Sequence, residues 1–175
     1  DIAGMGATGL ITYMRTDSVR ISEEARTAGN QFIEEHFGKN YLPAKPRYYK
    51  TKASAQDGHE AIRPTVISLT PAMAKPSLTS EQYKLYKLIW ERFMASLMAA
   101  CIQSTQSIDS SAADYIFRAS GYTVKFDGYT AVYSSAKDED EEGESVLPPL
   151  AEGDILVLRD LAGNQHFTQP PARYN

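Results

Sequence analysis

A long stripe of apolar side chains near the middle of the chain restricts the fold more than any other feature. Its members recur at spacings of three and four: Tyr83, Tyr86, Trp90, Phe93, Leu97 and Cys101. Lys84, Lys87 and Glu91 fall outside this stripe. Thr79 followed by Gln82 fits a capping box at its start. The pattern predicts an amphipathic helix from about Ser80 to Ile102 that packs against a core.

The chain before and after about residue 102 differs in character. The first part has helical patterns separated by loops, whereas residues 103–175 alternate over short segments with turn residues between them. Asp127-Gly128 is typical of a hairpin turn, and residues 153–161 favour a further strand before a turn at 163–164. We therefore predict an α+β fold.

Two shorter patterns precede the long helix. Residues 9–17 are rich in β-favouring and apolar side chains after several glycines, which predicts a strand. Ser22 can then cap a helix that Gly38 ends. The predicted inner face of that helix repeats every three or four residues: Ala25, Ala28, Phe32 and His36.

Composition limits the class of protein without identifying it. The chain has 175 residues, of which 42% are hydrophobic and 23% are charged, as expected of a globular domain or two. No apolar run approaches the roughly 18 residues of a membrane span, and no signal peptide precedes the first pattern. The single cysteine, Cys101, cannot form an intrachain disulfide, which indicates a reducing, cytoplasmic compartment.

The formal net charge of −4 conceals an uneven distribution. Six acids lie within Asp138–Glu144, interrupted by Gly143, in what we expect to be a solvated loop. Six basic residues and two acids lie between Lys39 and Arg63. This basic stretch predicts either a phosphate-binding face or an ordinary solvated surface.

The densest group of reactive side chains lies in the predicted strand. Tyr13, Arg15 and Asp17 would point to one side of it, because side chains alternate along a strand. A phenol, with its pKa near 10, is a weak nucleophile at neutral pH, but a neighbouring guanidinium favours the phenolate and can hold a phosphate. The group therefore suits attack on a phosphodiester. The alternative is that the Tyr13 ring simply packs against neighbouring residues and Arg15 is an ordinary surface charge.

Two further segments can be interpreted either as functional or as purely structural. His59 can donate to phosphate or move a proton, and Arg63 can bind phosphate with its planar fork. The alternative is a loop histidine and an Arg63 that pairs with Glu60. Tyr48 and Tyr49, which have basic neighbours, can stack single-stranded bases or simply pack the loop.

The segments Gly9–Ser18 (GLITYMRTDS) and His59–Pro64 (HEAIRP) together resemble the two active-site motifs of type IA DNA topoisomerases. Weaker likenesses occur at 85–90, 126–129 and 165–173, so the resemblance extends over nearly the whole chain. Met14 resembles the bacterial topoisomerase I branch more than topoisomerase III, where proline is usual. We expect the chain to be an internal piece of a longer enzyme, with a helical tyrosine domain at 1–102 and a β-rich arch segment at 103–175.

The resemblance implies a role for each matched residue. Tyr13 is expected to be the nucleophile that forms a 5′-phosphotyrosine link to one DNA strand, so that resealing needs no ATP. Arg15 would position the scissile phosphate, and His59 would contact phosphate nearby. Three other residues are expected to support or contact DNA: Asp17, Arg63 and Arg173.

The resemblance also implies what lies outside this chain. The family binds Mg²⁺ through acids of a separate Toprim domain, of which no pattern is present here, so we expect the isolated chain to be inactive and to hold no metal. The expected partners are single-stranded or negatively supercoiled DNA and the remaining domains of the polypeptide. The alternatives are a fragment of topoisomerase III or reverse gyrase, a non-catalytic single-stranded nucleic-acid-binding module, and an interaction protein whose acidic loop binds a basic partner.

Overall fold

A computed structural model describes residues 8–14, 18–49, 60–133 and 146–168. The elements follow in chain order: α1 (Glu23–His36), a 3₁₀ turn (Lys39–Tyr41), α2 (Pro71–Ala74), a 3₁₀ turn (Lys75–Ser77), α3 (Ser80–Leu97), β1 (Ile102–Ala112), β2 (Tyr115–Phe126) and a 3₁₀ turn (Gly128–Ala131). Helices thus precede one antiparallel β-hairpin, which confirms the predicted α+β class. Among the described residues no helix is both long enough and apolar enough to cross a bilayer.

Helix α1 begins and ends where its local sequence indicates. The Ser22 hydroxyl accepts a hydrogen bond from the Ala25 amide at 3.3 Å, and Gly38 follows the helix with a φ of +100°. The predicted inner face was partly wrong, because Ala28 and His36 are exposed. The buried face is rotated from it and consists of Ala25, Arg26, Gly29, Phe32 and Ile33.

Helix α3 has the predicted capping box but is shorter than predicted. It ends at Leu97, and Met98 already has an extended conformation with ψ of 160°. The Ala99 amide donates to the Tyr41 carbonyl at 2.7 Å, and the Ala99 carbonyl accepts from the Tyr129 amide at 2.9 Å. These long-range hydrogen bonds replace the intrahelical ones, so Cys101 is not part of the helical stripe.

The core lies between α1, α3 and the segment that precedes α2. Phe32 meets Trp90 edge to face, with ring centroids 5.6 Å apart. The Trp90 indole N–H donates to the Ile67 carbonyl at 2.9 Å, and the Tyr86 hydroxyl donates to the Leu69 carbonyl at 2.6 Å. Burial raises the pKa of Tyr86 to about 12. Glu91, predicted to lie outside the stripe, is also buried, with Lys87 3.6 Å from its carboxylate.

The hairpin turn lies where the sequence pattern did not predict it. Strands β1 and β2 pair from Ala112 and Tyr115 outward, so residues 113 and 114 form the turn, and Ala113 has a φ of +51°. The predicted turn at Asp127-Gly128 is wrong, because Gly128 instead begins a 3₁₀ turn packed on the end of α3. A Cβ at Gly128 would lie 2.5 Å from the Ala100 carbonyl oxygen, so the glycine is needed for close backbone approach.

Residues 146–168 contain no regular strand, so the strand predicted at 153–161 is wrong for the described structure, as is the turn at 163–164. Ile155 is 94% exposed and Val157 82% exposed. An isolated extended segment leaves its backbone hydrogen-bonding groups unpaired, and no other described segment of this chain supplies a ladder for it. A composition that favours β-structure is therefore not sufficient to make residues 153–161 a strand.

Candidate active site

The two motif segments lie side by side, although they are about fifty residues apart in sequence. Ile11 and Pro64 form an antiparallel bridge. The Thr12 amide donates to the Arg63 carbonyl at 2.9 Å, and the Thr65 amide donates to the Leu10 carbonyl at 3.1 Å. Within the described residues, the strand predicted at 9–17 is thus reduced to this short pairing.

The side chain of Thr12 anchors the tyrosine segment to its neighbour. Its hydroxyl accepts from the Arg63 amide at 3.0 Å and donates to the Ala61 carbonyl at 3.1 Å. A threonine hydroxyl has one donor and two acceptor sites, so it can make both bonds at once. Thr12 therefore faces the 61–63 segment and fixes the backbone on which the next residue stands.

Tyr13 projects into solvent from this anchor. Its side chain is 80% exposed, as expected when consecutive residues of an extended segment point in opposite directions. Its neighbour Met14 is also exposed. Within the described part of this chain the Tyr13 ring is therefore not packed against other residues, contrary to the alternative of a packed ring beside a surface charge.

Arg63 is paired with Glu60, as the alternative to phosphate binding predicts. Its Nε and Nη2 donate to one carboxylate oxygen of Glu60 at 3.0 and 2.8 Å, and its Nη1 donates to the Pro64 carbonyl at 3.1 Å. Burial alone would raise the pKa of Glu60, but hydrogen bonds from Ser22 and Arg63 and the Arg63 charge hold it below its usual value. Arg63 therefore stabilises the conformation of residues 60–64.

Several predicted site residues lie outside the described residues: Arg15, Asp17, His59 and Arg173. The acidic run 138–144 lies outside them as well. The predicted grouping of these side chains around Tyr13 therefore stays a prediction.

The described residues do not fit a Mg²⁺ site. No three His, Cys, Asp or Glu side chains in that part of the chain come together closely enough to hold a metal ion. Glu60, the carboxylate within the second motif, is already engaged by Arg63 and Ser22. We therefore derive no step of the chemistry through a metal on these residues.

A second polar feature lies where α1 begins, and the sequence indicates only part of it. Arg26 occupies the buried face of α1, and its guanidinium carbon lies 4.5 Å from the centre of the Tyr48 ring. A cavity of about 260 Å³ lies here, lined by residues 19–23 and 26 and by Tyr48 and Tyr49. The sequence indicates the aromatic pair Tyr48 and Tyr49, but it does not indicate that Arg26 is buried against Tyr48.

Comparison with known proteins shows the family of the chain. A family model described as DNA topoisomerase matches residues 6–175. The structure of full-length topoisomerase I from Thermotoga maritima is similar, with a TM-score of 0.65 and 35% sequence identity over 83% of this chain. The match covers 22% of the Thermotoga chain, so the present chain spans about a fifth of that relative's length. The chain belongs to the bacterial type IA DNA topoisomerase family.

Proposed function

We propose that Tyr13 is the nucleophile of a DNA topoisomerase, acting within the full-length protein. Its phenol oxygen attacks the phosphorus of a DNA phosphodiester as the phenol proton leaves. The bond from phosphorus to the 3′ oxygen breaks, the 3′ oxygen takes up a proton, and the 5′ phosphate stays on Tyr13. Attack by the same 3′ hydroxyl reverses these steps. Because one phosphoester replaces another, resealing needs no ATP.

The observation that carries this proposal is the exposed Tyr13 ring, held on a fixed backbone within a chain of this family. An exposed side chain usually has many orientations, but the hydrogen bonds of Thr12 limit the position of the adjacent backbone. Pre-positioning of this kind lowers the entropic cost of bringing a nucleophile to its target. This arrangement suits a residue that must meet a large substrate.

The matched polar residues are proposed to serve the same phosphate. Arg15 would place its guanidinium on the scissile phosphate and stabilise the charge that develops there, and His59 would contact phosphate near it. Asp17 and Arg173 would support or contact the DNA strand. Glu60 and the Pro64 carbonyl engage three of the five N–H donors of Arg63, so its first role would be to hold the loop.

The full-length protein is proposed to pass one strand through the transient break and so relax negatively supercoiled DNA in the bacterial cytoplasm. Mg²⁺ would be held by a Toprim domain elsewhere in the polypeptide. The isolated chain is accordingly expected neither to cleave nor to relax DNA. Incubation of the chain with supercoiled plasmid and Mg²⁺ checks this, and relaxation equal to that of the full-length enzyme would contradict it.

The decisive experiment replaces Tyr13 in the full-length protein. Denaturing the protein during reaction with a labelled single-stranded oligonucleotide should trap a covalent adduct in the parent and none in Tyr13→Phe. Tyr115→Phe is the matched control, because Tyr115 is similarly exposed at 71% but lies on the hairpin. Adduct formation by Tyr13→Phe at the parental level would exclude Tyr13 as the nucleophile.

A further inference from the structure

The cavity of about 260 Å³ at the start of α1 combines an accessible aromatic ring with cationic side chains. One face of Tyr48 lies against the guanidinium of Arg26, yet the residue remains 69% exposed. Arg20 is exposed at the rim. Aromatic rings beside cations are the usual means by which proteins bind single-stranded nucleic acid without reading its sequence.

The ring is held in place without a ligand. Arg26 is 7% exposed, and its Nη1 donates to the Arg47 carbonyl at 2.8 Å, which ties the residue before Tyr48 to α1. The residue after it, Tyr49, donates its hydroxyl to the Ser96 carbonyl at 2.9 Å. Both neighbours of Tyr48 are thus held by hydrogen bonds, which lowers the cost of ordering residues 47–49 on binding.

The charges indicate which part of a nucleotide suits this position. The Nε of Arg26 is buried and has no hydrogen-bond partner among the described residues, and Glu23 lies 3.8 Å from it. Glu23 offsets part of the Arg26 charge, so a neutral base suits the Tyr48 ring better than a phosphate does. The cavity is smaller than the roughly 300–1,000 Å³ of pockets for drug-sized ligands, which suits one planar base.

We propose that Tyr48, backed by Arg26, stacks one base of single-stranded DNA, and that Arg20 contacts a phosphate next to that base. This subsite rests on the proposed function, because it would hold the same strand that Tyr13 attacks. The subsite would add a contact with that strand at a distance from the scissile phosphate.

The subsite and the tyrosine segment share one anchor. The Arg20 carbonyl accepts from the Ala61 amide at 2.8 Å, and the Ala61 carbonyl accepts from the Thr12 hydroxyl. Arg20 follows Tyr13 by seven residues, so their backbones are at most about 25 Å apart. The stacked base and the cleavage site would therefore lie on one short segment of single-stranded DNA.

Binding to full-length protein tests the subsite, in a Tyr13→Phe background so that cleavage does not interfere. The probes are single-stranded oligonucleotides that carry one fluorescent adenine analogue at successive positions around the cleavage site. Quenching at one position should disappear in Tyr48→Leu, with binding roughly 5- to 100-fold weaker. Tyr48→Phe keeps the ring and should bind like the parent, as should the exposed control Tyr115→Leu.

Salt dependence tests the contact of Arg20. Arg20→Gln should reduce the slope of log affinity against log salt by about 0.7, the value for one lost phosphate contact on a single strand. An unchanged slope would remove Arg20 from the subsite. Circular dichroism and thermal melting of each variant check that the fold is retained.

Three results would overturn the stacking platform: parental affinity and quenching in Tyr48→Leu, a loss in Tyr48→Phe as large as that in Tyr48→Leu, or an equal loss in Tyr115→Leu. The adduct assay, which compares the parent with Tyr13→Phe, separates failure of the subsite from failure of the proposed function. If Tyr13→Phe abolishes the adduct while Tyr48→Leu binds normally, only the subsite is wrong. If Tyr13→Phe still forms the adduct, the proposed function itself is wrong.

Discussion

At the scale of single residues, the pair formed by Glu60 and Arg63 connects the second motif to the start of α1. Glu60 receives the guanidinium of Arg63 on one side and hydrogen bonds from Ser22 on the other. Ser22 also caps α1, so one carboxylate joins the motif loop to a helix terminus. Its negative charge there is favoured by the partial positive charge of the helix N-terminus.

The pH dependence of stability follows from the sign of the Glu60 shift. The pKa of Glu60 is lower in the folded state than the ordinary 4.5, so its contribution is present above about pH 4.5 and is lost as pH falls through the folded value. Glu60→Gln should lower the free energy of unfolding at pH 7 by about 1 kcal/mol after solvent screening. This difference from the parent should shrink at acidic pH.

Urea unfolding at a series of pH values measures that difference. Glu34→Gln serves as the control, because it removes the same charge from an exposed position of α1. A loss in Glu60→Gln that stays constant from acidic to neutral pH would contradict the assignment.

At the scale of elements, the contact between α1 and α3 depends on the absence of a side chain at Gly29. A Cβ placed on Gly29 would lie 2.3 Å from the Leu97 Cδ1 atom and 3.5 Å from the Phe93 ring. Leu97 is buried, so its methyl group has little room to move away. The two helices are therefore close because this position is small.

Gly29→Val should therefore destabilise the fold by about 2–3 kcal/mol through overpacking, despite the better helix propensity of valine. Ala28→Val is the matched control on the exposed side of α1 and should cost less than about 1 kcal/mol. Denaturant unfolding gives both values.

A second substitution identifies the cause. Leu97→Ala, introduced with Gly29→Val, should cost less than the sum of the two single changes, because the cavity accepts the added methyl groups. Strict additivity would show that Leu97 is not the obstacle.

At the scale of the whole molecule, the helices and the hairpin meet through a small set of contacts around Tyr41. Its hydroxyl donates to Asp127 at 2.6 Å, and its ring lies 4.8 Å from that of Phe126. The hydrogen bond that Tyr41 donates to Asp127, burial, and the negative charge of Asp127 together raise the pKa of Tyr41. This contact lies close to the expected domain boundary between residues 102 and 103, which remains a prediction.

Tyr41→Phe should loosen this junction without unfolding either part. We expect faster hydrogen exchange at the amides of Ala99 and Tyr129, whose hydrogen bonds lie beside the lost contact. Exchange in the middle of the hairpin, for example at Thr105, should not change. Asp127→Asn keeps an acceptor oxygen and should resemble the parent. Equal protection of Ala99 in Tyr41→Phe and the parent would show that the Tyr41 hydroxyl does not hold the junction.

Features that depend on a few neighbouring residues were predictable from the sequence. The cap of α1 at Ser22 and the capping box of α3 involve hydrogen bonds over two or three residues, so the residue types alone indicate them. The motif around Tyr13 likewise indicates the family from residue types alone. Its accessible position follows from Thr12, which turns toward the neighbouring segment.

Features that depend on distant partners were decided by the tertiary structure. The end of α3 depends on Tyr41 and Tyr129, and the role of Asp127-Gly128 depends on the backbone of Ala100. The platform of Arg26 and Tyr48 joins a helix face to a loop more than twenty residues away. Local pattern specifies which conformations a segment favours, but the choice among them follows from long-range hydrogen bonds and packing, whose partners a single sequence does not reveal.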